Sequence, residues 1–293
     1  IAVGPITFQP SELVKIVFIL AGAATLDRLF AKRNLIFTIL FSAYCVGCLA
    51  LMSDFGTALI FFVAFLCIAF LRTGDLPSIV MITAAAGFAG GIVLRFKPYV
   101  LARFAVWRHA WEYAQEEGYQ QTRTMSAVAS GGLFGAGPEE AWLKYVGAAN
   151  TDLVFGVVSE EFGLLLALCA AAAVILLGIY ALRAAGRSRS SFYAIAACAT
   201  AAMLVFQTTL NVLGSVDLLP LTGVTFPFVS MGGSSMLSCW GLLAYLQAAA
   251  PPPVSVKAAP KAPAPAVKPP QATGFLDELG VATDDIFGKE DAR

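Results

Sequence analysis

The sequence predicts an all-α, polytopic membrane protein, and three observations predict it. Of its 293 residues, 58% are hydrophobic and 13% charged, whereas soluble domains average about 45–50% apolar and about 25% charged. Mean hydropathy is +0.77, more apolar surface than one water-soluble core hides. The apolar residues also come in long runs, and a helix needs about 20 of them to cross a bilayer. Helices rather than a barrel follow, because each helix satisfies its own backbone in lipid. The formal net charge of zero argues against a nucleic-acid partner.

Seven segments have spanning character: roughly 11–30, 35–52, 55–71, 77–95, 162–182, 192–213 and 230–249. Arg28, Lys32 and Arg33 flank the first connection, Arg72 sits in the third, and Arg183, Arg187 and Arg189 lie between spans five and six. The connections at 53–54 and 214–229 and the segment 1–10 carry no Lys or Arg. The positive-inside rule then places the C-terminus in the cytoplasm and the long connection 96–152 outside. That loop holds Trp107, Trp111, Tyr113, Tyr119, Trp142, Tyr145 and the glycine-rich "SGGLFGAG". Its length and aromatics favour function or interfacial anchoring. Residues 1–250 read as the membrane domain, 251–272 as a Pro/Ala-rich extended linker and 273–293 as an acidic solvated tail. The chain starts at Ile1 with no charged n-region, so no signal peptide is read and the sequence looks like a fragment. The six cysteines fall in apolar runs, and Cys45 and Cys48 form a CxxC without a second pair or a His. They read as small core residues rather than metal or redox ligands.

Ionisable residues at membrane depth mark candidate sites. In "FQPSELVKI", Ser11 suits an N-cap, Glu12 the first turn, and Lys15, three residues on, the same face as Glu12. A neutralising pair and a cavity-facing Lys15 that holds an anionic headgroup are both open. In "SDFGTA", Asp54 suits a cap for the third span. In "TDLVFGVVSEEFG", Asp152, Glu160 and Glu161 crowd the start of the fifth span. Asp152 is either its N-cap or, with a pKa raised by burial and like charge, a general base. In "LLPLTGVTFPFVSMGGSSM", two prolines precede Gly232, Gly233, Ser234 and Ser235. Free N–H groups there suit a phosphate, and small residues there equally suit tight helix packing. Gln207 and Asn211, four apart, add polar groups nearby.

Together, "GPITFQPSELVK", "SDFGTA", "GYQ…SGGLFGAG…TDLVFGVVSEEFG" and "PLTGVTFPFVSMGGSS" resemble, in order, the FtsW/RodA/SpoVE (SEDS) family of bacterial cell-wall synthesis. The resemblance covers about 1–249. It implies a ten-span inner-membrane peptidoglycan glycosyltransferase that polymerises lipid II, so the chain reads as lacking three N-terminal spans. It begins inside the motif written RW-x-x-x-GP-x-x-FQPSE, after the Arg-Trp. The family's catalytic aspartate corresponds to Asp152. Its QPDFGTA reads "MSDFGTA", with Met52 and Ser53 in place of Gln and Pro and Asp54 kept. Its YLPEAHTD reads "YVGAANTD", with Gly147, Ala148 and Asn150 replacing Pro, Glu and His. Lys144 or Arg103 is available to compensate.

The expected chemistry has Asp152 take the proton of the acceptor sugar's 4-hydroxyl. Lys15, Arg103, a divalent cation or the 232–235 backbone would meet the pyrophosphate; no metal-ligand cluster is visible in the sequence, and a divalent cation stays open as a cofactor. The resemblance also implies a class B penicillin-binding protein as partner. The rival readings are a lipid II flippase and a non-catalytic scaffold of the division or elongation machinery.

Overall fold

The computed structural model describes residues 2–3, 6–7, 9–27, 32–188 and 190–250. Arg28, Arg189 and the expected linker 251–272 and tail 273–293 lie outside the described residues. Ten α-helices follow in chain order among the described residues: α1 Pro10–Asp27, α2 Lys32–Leu51, α3 Phe55–Thr73, α4 Leu76–Phe96, α5 Pro98–Val106, α6 Tyr119–Gly131, α7 Val154–Phe162, α8 Leu164–Arg187, α9 Ser191–Ser215 and α10 Gly233–Ala249. A two-residue antiparallel pairing, Ala2–Val3 with Ile6–Thr7, precedes them.

The seven expected spans coincide with α1, α2, α3, α4, α8, α9 and α10. Among the described residues, α3, α8 and α9 are long and apolar enough to cross a membrane by length and composition, and α2 and α4 hold the shorter apolar stretches Phe37–Leu51 and Leu76–Ile92. The fold is that of a multi-pass helical membrane protein. Leu165, Leu166, Leu168, Ile175, Leu176 and Leu182 of α8 are all exposed, the pattern of a helix that faces lipid rather than water.

Helix α9 is the hub and packs on α1, α3, α8 and α10. Met203 and Leu204 of α9 are buried with Phe18, Ile19, Phe61 and Leu242. The Phe18 and Phe61 rings meet edge-on with centroids 4.9 Å apart, a preferred aromatic geometry. Cys45 and Cys239 are buried, as expected, but Cys169 is exposed on α8.

Three elements differ from expectation. Helix α1 begins at Pro10, not after a Ser11 cap, because proline suits the first helical position. The loop 96–152 contains α5, α6 and a 3-10 turn at Leu143–Tyr145. The fifth span does not run on from Asp152: α7 and α8 are separate helices broken at Gly163, which has φ 94° and ψ 156°. That region admits essentially only glycine.

The break satisfies both helix ends, whose last carbonyls and first N–H groups lack intrahelical partners. The carbonyls of Ser159, Glu160 and Glu161 accept from Gly163 N (3.1 Å), Ala136 N (2.8 Å) and Gly137 N (3.2 Å). Leu164 N donates to Gly132 O (2.9 Å) and Leu165 N to Leu133 O (3.3 Å). A side chain at Gly163 would collide with the Leu133 carbonyl.

Gly163→Val therefore combines backbone strain with this collision. Thermal unfolding in detergent is expected to show a loss of about 1–3 kcal/mol or more. Gly186→Ala, in α8 with open space around it, is expected to stay within about 0.5 kcal/mol of the parent.

Candidate functional site

The four stretches singled out in the sequence converge on the segment 216–232, which contains no helix. Irregular backbone in a membrane protein persists only where protein or a water-filled cavity surrounds it, and here side chains of neighbouring helices supply its partners. Gln207 and Asn211, one turn apart on α9, are 1% and 2% exposed. Gln207 Nε2 donates to the carbonyl and the hydroxyl of Thr225, both at 2.8 Å. Gln207 Oε1 accepts from Lys15 Nζ at 3.0 Å, and Lys15 Nζ also donates to both oxygens of Glu12 at 2.9 Å. The hydroxyls of Thr225 and Ser235 lie 2.8 Å apart. One polar string thus joins α1, α9, the irregular segment and α10.

This string settles how Lys15 is used. It is 1% exposed and Glu12 is 4% exposed, so the ammonium faces Glu12 and Gln207 inside the helix packing. Of the two readings left open, the neutralising pair is the one these bonds form. Desolvating the pair is tolerated because charge and hydrogen-bonding capacity are met together.

Asn211 links the segment to Asp152. Its Nδ2 donates to Asp152 O (2.8 Å) and Val224 O (2.7 Å). Ser230 Oγ donates to Thr151 O at 2.6 Å, and Met231 N donates to Asn150 O at 2.8 Å. Helices α5 and α6 hold the same segment from its other end. Arg103 Nη1 donates to Leu221 O (2.8 Å), Trp107 Nε1 to Leu218 O (3.1 Å) and Gln121 Nε2 to Gly214 O (3.1 Å).

The Asp152 carboxylate is not a helix cap. The residue at the α7 N-cap is Leu153, and no side chain caps that end. Asp152 is half-buried, and burial pushes its pKa above the ordinary carboxylate range; the Thr151 side chain and the Arg103 charge pull it partly back, and the Asp54 charge raises it again. Gly223 is exposed, with φ 70°, and a Cβ there would lie 3.2 Å from Asp152 Oδ2. The missing side chain leaves one face of the carboxylate open. Asp54 caps α3 as expected, with Oδ1 accepting from Thr57 N at 3.1 Å. Its Oδ2 accepts from Gln9 Nε2 at 3.4 Å.

Other candidates hold the fold around this centre. Glu160 is 1% exposed and accepts from Trp142 N (3.1 Å) and Leu143 N (2.9 Å), fixing the 3-10 turn. Glu161 is half-buried beside the glycine-rich loop. Lys144 Nζ donates to Pro138 O at 2.6 Å and lies over the Tyr145 ring, so it turns toward its own loop rather than toward Asp152. Gly232 caps α10 without a side-chain bond, Gly233 begins it, and Ser234 Oγ accepts from Gln9 N at 3.4 Å. Among the described residues, no three His, Cys, Asp or Glu side chains group as metal ligands do. Sequence reasoning did not single out Gly223, Thr225 or Ser230. Their signal was small and hydroxyl residues around Pro220 and Pro227, which has no characteristic period.

Removing Lys15 alone strands a buried carboxylate. Lys15→Met is expected to destabilise the detergent-solubilised protein by about 3–5 kcal/mol. The double variant Glu12→Gln/Lys15→Met is expected to recover part of that loss in the same thermal melt.

The sequence profile of the FtsW/RodA/SpoVE family, described as "Cell cycle protein", matches residues 1–251. The chain is 32% identical over 252 residues to "Probable peptidoglycan glycosyltransferase FtsW" of Pseudoalteromonas translucida, covering 81% of this chain and 62% of that protein. It is 31% identical over 262 residues to "Peptidoglycan glycosyltransferase RodA" of Mycobacterium leprae, covering 82% and 55%. The chain thus spans less than two thirds of the length of these relatives. A solved structure of a peptidoglycan synthase complex coordinating polymerization and crosslinking matches with TM-score 0.67 and 26% identity, covering 85% of this chain and 72% of that one. A crystal structure of a mutant of the Thermus thermophilus rod shape determining protein RodA shares the fold, with TM-score 0.55 and 23% identity, over 84% of this chain and 67% of that one. On the profile match across 1–251, the chain belongs to the FtsW/RodA/SpoVE family.

Proposed function

We propose that this chain is the catalytic part of an inner-membrane peptidoglycan glycosyltransferase that polymerises lipid II, with Asp152 as general base. The observation that carries this reading is the Asp152 carboxylate itself. It is half-buried, caps no helix and lies open toward Gly223, while the buried amide of Asn211 holds the backbone carbonyl of the same residue. A carboxyl whose pKa is raised by burial while one face stays open is suited to accept a proton.

In this mechanism Asp152 takes the proton from the 4-hydroxyl of the acceptor sugar. The freed oxygen attacks the anomeric carbon of the donor, the bond to the pyrophosphate breaks, and undecaprenyl pyrophosphate leaves with its electron pair. One base and one displacement invert the anomeric carbon. The departing charge is met by Arg103 and by the first turn of α10, where Gly232 provides no side-chain cap and the helix N-terminus favours an anion. Lys15 acts at a distance, through Gln207 and Thr225.

The same reading places the 96–152 connection on the outer side, beside a sugar in water and a tail in lipid, and the C-terminus in the cytoplasm. It assigns a class B penicillin-binding protein as partner, which the likeness to a peptidoglycan synthase complex supports. Relatives called FtsW and RodA both match, so both division and elongation agree with the chemistry.

Asp152→Asn is expected to lower glycan formation from lipid II by about 10²-fold or more, with membrane insertion retained. Wild-type-like polymer from that variant would remove the base assignment. The pH profile gives a second test. The base works when deprotonated, so activity is lost as pH falls through its raised pKa. Arg103→Gln removes a charge that lowers that pKa and is expected to move the acid limb to higher pH. Asp54→Asn removes a charge that raises it and is expected to move the limb to lower pH.

A further inference from the structure

The tip of "SGGLFGAG" has no role in the proposed chemistry. Leu133 is 61% exposed and Phe134 is 83% exposed. An exposed phenylalanine beside an exposed leucine marks a contact surface when it joins a larger apolar patch. Here it does. Phe162, Leu165, Leu166 and Leu168, at the α7–α8 junction, are 49–56% exposed.

The tip is held rigidly against that junction. Gly135 N donates to Gly131 O at 2.8 Å and closes the turn. The bonds from Leu164 N to Gly132 O and from Leu165 N to Leu133 O tie it to the first turn of α8. These bonds hold Leu133 and Phe134 beside the first turn of a helix that is long and apolar enough to span a membrane. Glu139 and Glu140 follow within six residues and are exposed.

We propose that Leu133 and Phe134 form an interfacial anchor that inserts into the lipid boundary layer beside the start of α8. Lipid fits better than a protein partner because the tip continues the exposed face of α8, the helix long and apolar enough to span a membrane, where Ile175, Leu176 and Leu182 are also open. Interfacial elements place such side chains about 5–10 Å into the boundary between headgroups and acyl chains. Through α7, the anchor sets the height of the 148–153 turn over the membrane. The anchor itself rests only on the membrane reading, not on the chemistry assigned to Asp152.

The test uses the full chain in vesicles of phosphatidylcholine and phosphatidylglycerol, with Phe134→Trp. The emission added by this tryptophan is taken as the difference from the parent, which has four tryptophans. The expected result is blue-shifted emission that loses about half or more of its intensity when the phosphatidylcholine carries bromine at carbons 6 and 7, the shallow acyl positions reached by interfacial anchors. Red-shifted emission quenched by aqueous iodide instead would place the tip in water and overturn the anchor. Blue emission quenched by neither agent would show a protein contact, from a second copy or another protein, and would overturn it equally. A benzoylphenylalanine at position 134 gives an independent readout: lipid adducts on illumination support the anchor, and protein adducts without lipid adducts overturn it.

Discussion

The structure depends on finding partners for the polar backbone of the non-helical segment between α9 and α10. No helix satisfies residues 216–232 internally, and their position among apolar helices limits the help water gives. Two amides on α9 answer part of the need, and Arg103 and Trp107 answer more of it from the other end. Gln207 holds Thr225, and Asn211 holds Val224 and, with its second N–H, the carbonyl of Asp152. The Asn211 amide thus joins the segment to the turn carrying the proposed base, together with Ser230 Oγ on Thr151 O and Met231 N on Asn150 O. A buried carbonyl left without its donor costs about 1–3 kcal/mol, so these contacts tie local folding to site geometry.

Electrostatics extend the same logic. Glu12 and Lys15 cancel each other in a buried position, and the lysine's remaining donor reaches Gln207 Oε1. This fixes which end of the amide points where: with its oxygen on the ammonium, its nitrogen must face Thr225. A charged pair inside the bundle thus acts as an orienting device rather than as a ligand. Asp152 is treated differently. Its backbone is clamped, its carboxylate caps no helix, and Gly223 leaves the approach open. Burial and the Asp54 charge push its pKa up while Arg103 and Thr151 restrain it. The result is a carboxylate less acidic than usual but still next to a cation.

The connection between α4 and α8 shows how a long loop becomes a platform. Glu160 closes on the backbone of Trp142 and Leu143, and the glycine-rich turn closes on the ends of α7 and α8. Both use α7 as their support, and α7 begins two residues after Asp152. Three acids that read as one crowded cluster in the sequence are set apart in space: Asp152 beside Gly223, Glu160 on the backbone of Trp142 and Leu143, and Glu161 beside the glycine-rich turn.

Much was legible in the sequence. Runs of apolar residues predicted seven helices, because covering a helix in lipid requires a continuous apolar length whatever the helix packs against. The Asp54 cap was legible because it needs only its own next turn. The Glu12–Lys15 pair was legible because both lie on one helical face. The convergence of 15, 54, 152, 207, 211 and 225 was not, because hydrogen bonds between residues 59 or 192 positions apart leave no local period. Nor was the break at Gly163: "EEFGLLL" reads as a continuous helix start, and only the tertiary approach of the Leu133 carbonyl leaves no room for a side chain there. The sequence by itself determined which segments must be helical and apolar. Tertiary packing alone decided which polar groups remain free to do chemistry, because a side chain's availability depends on what distant backbone needs it.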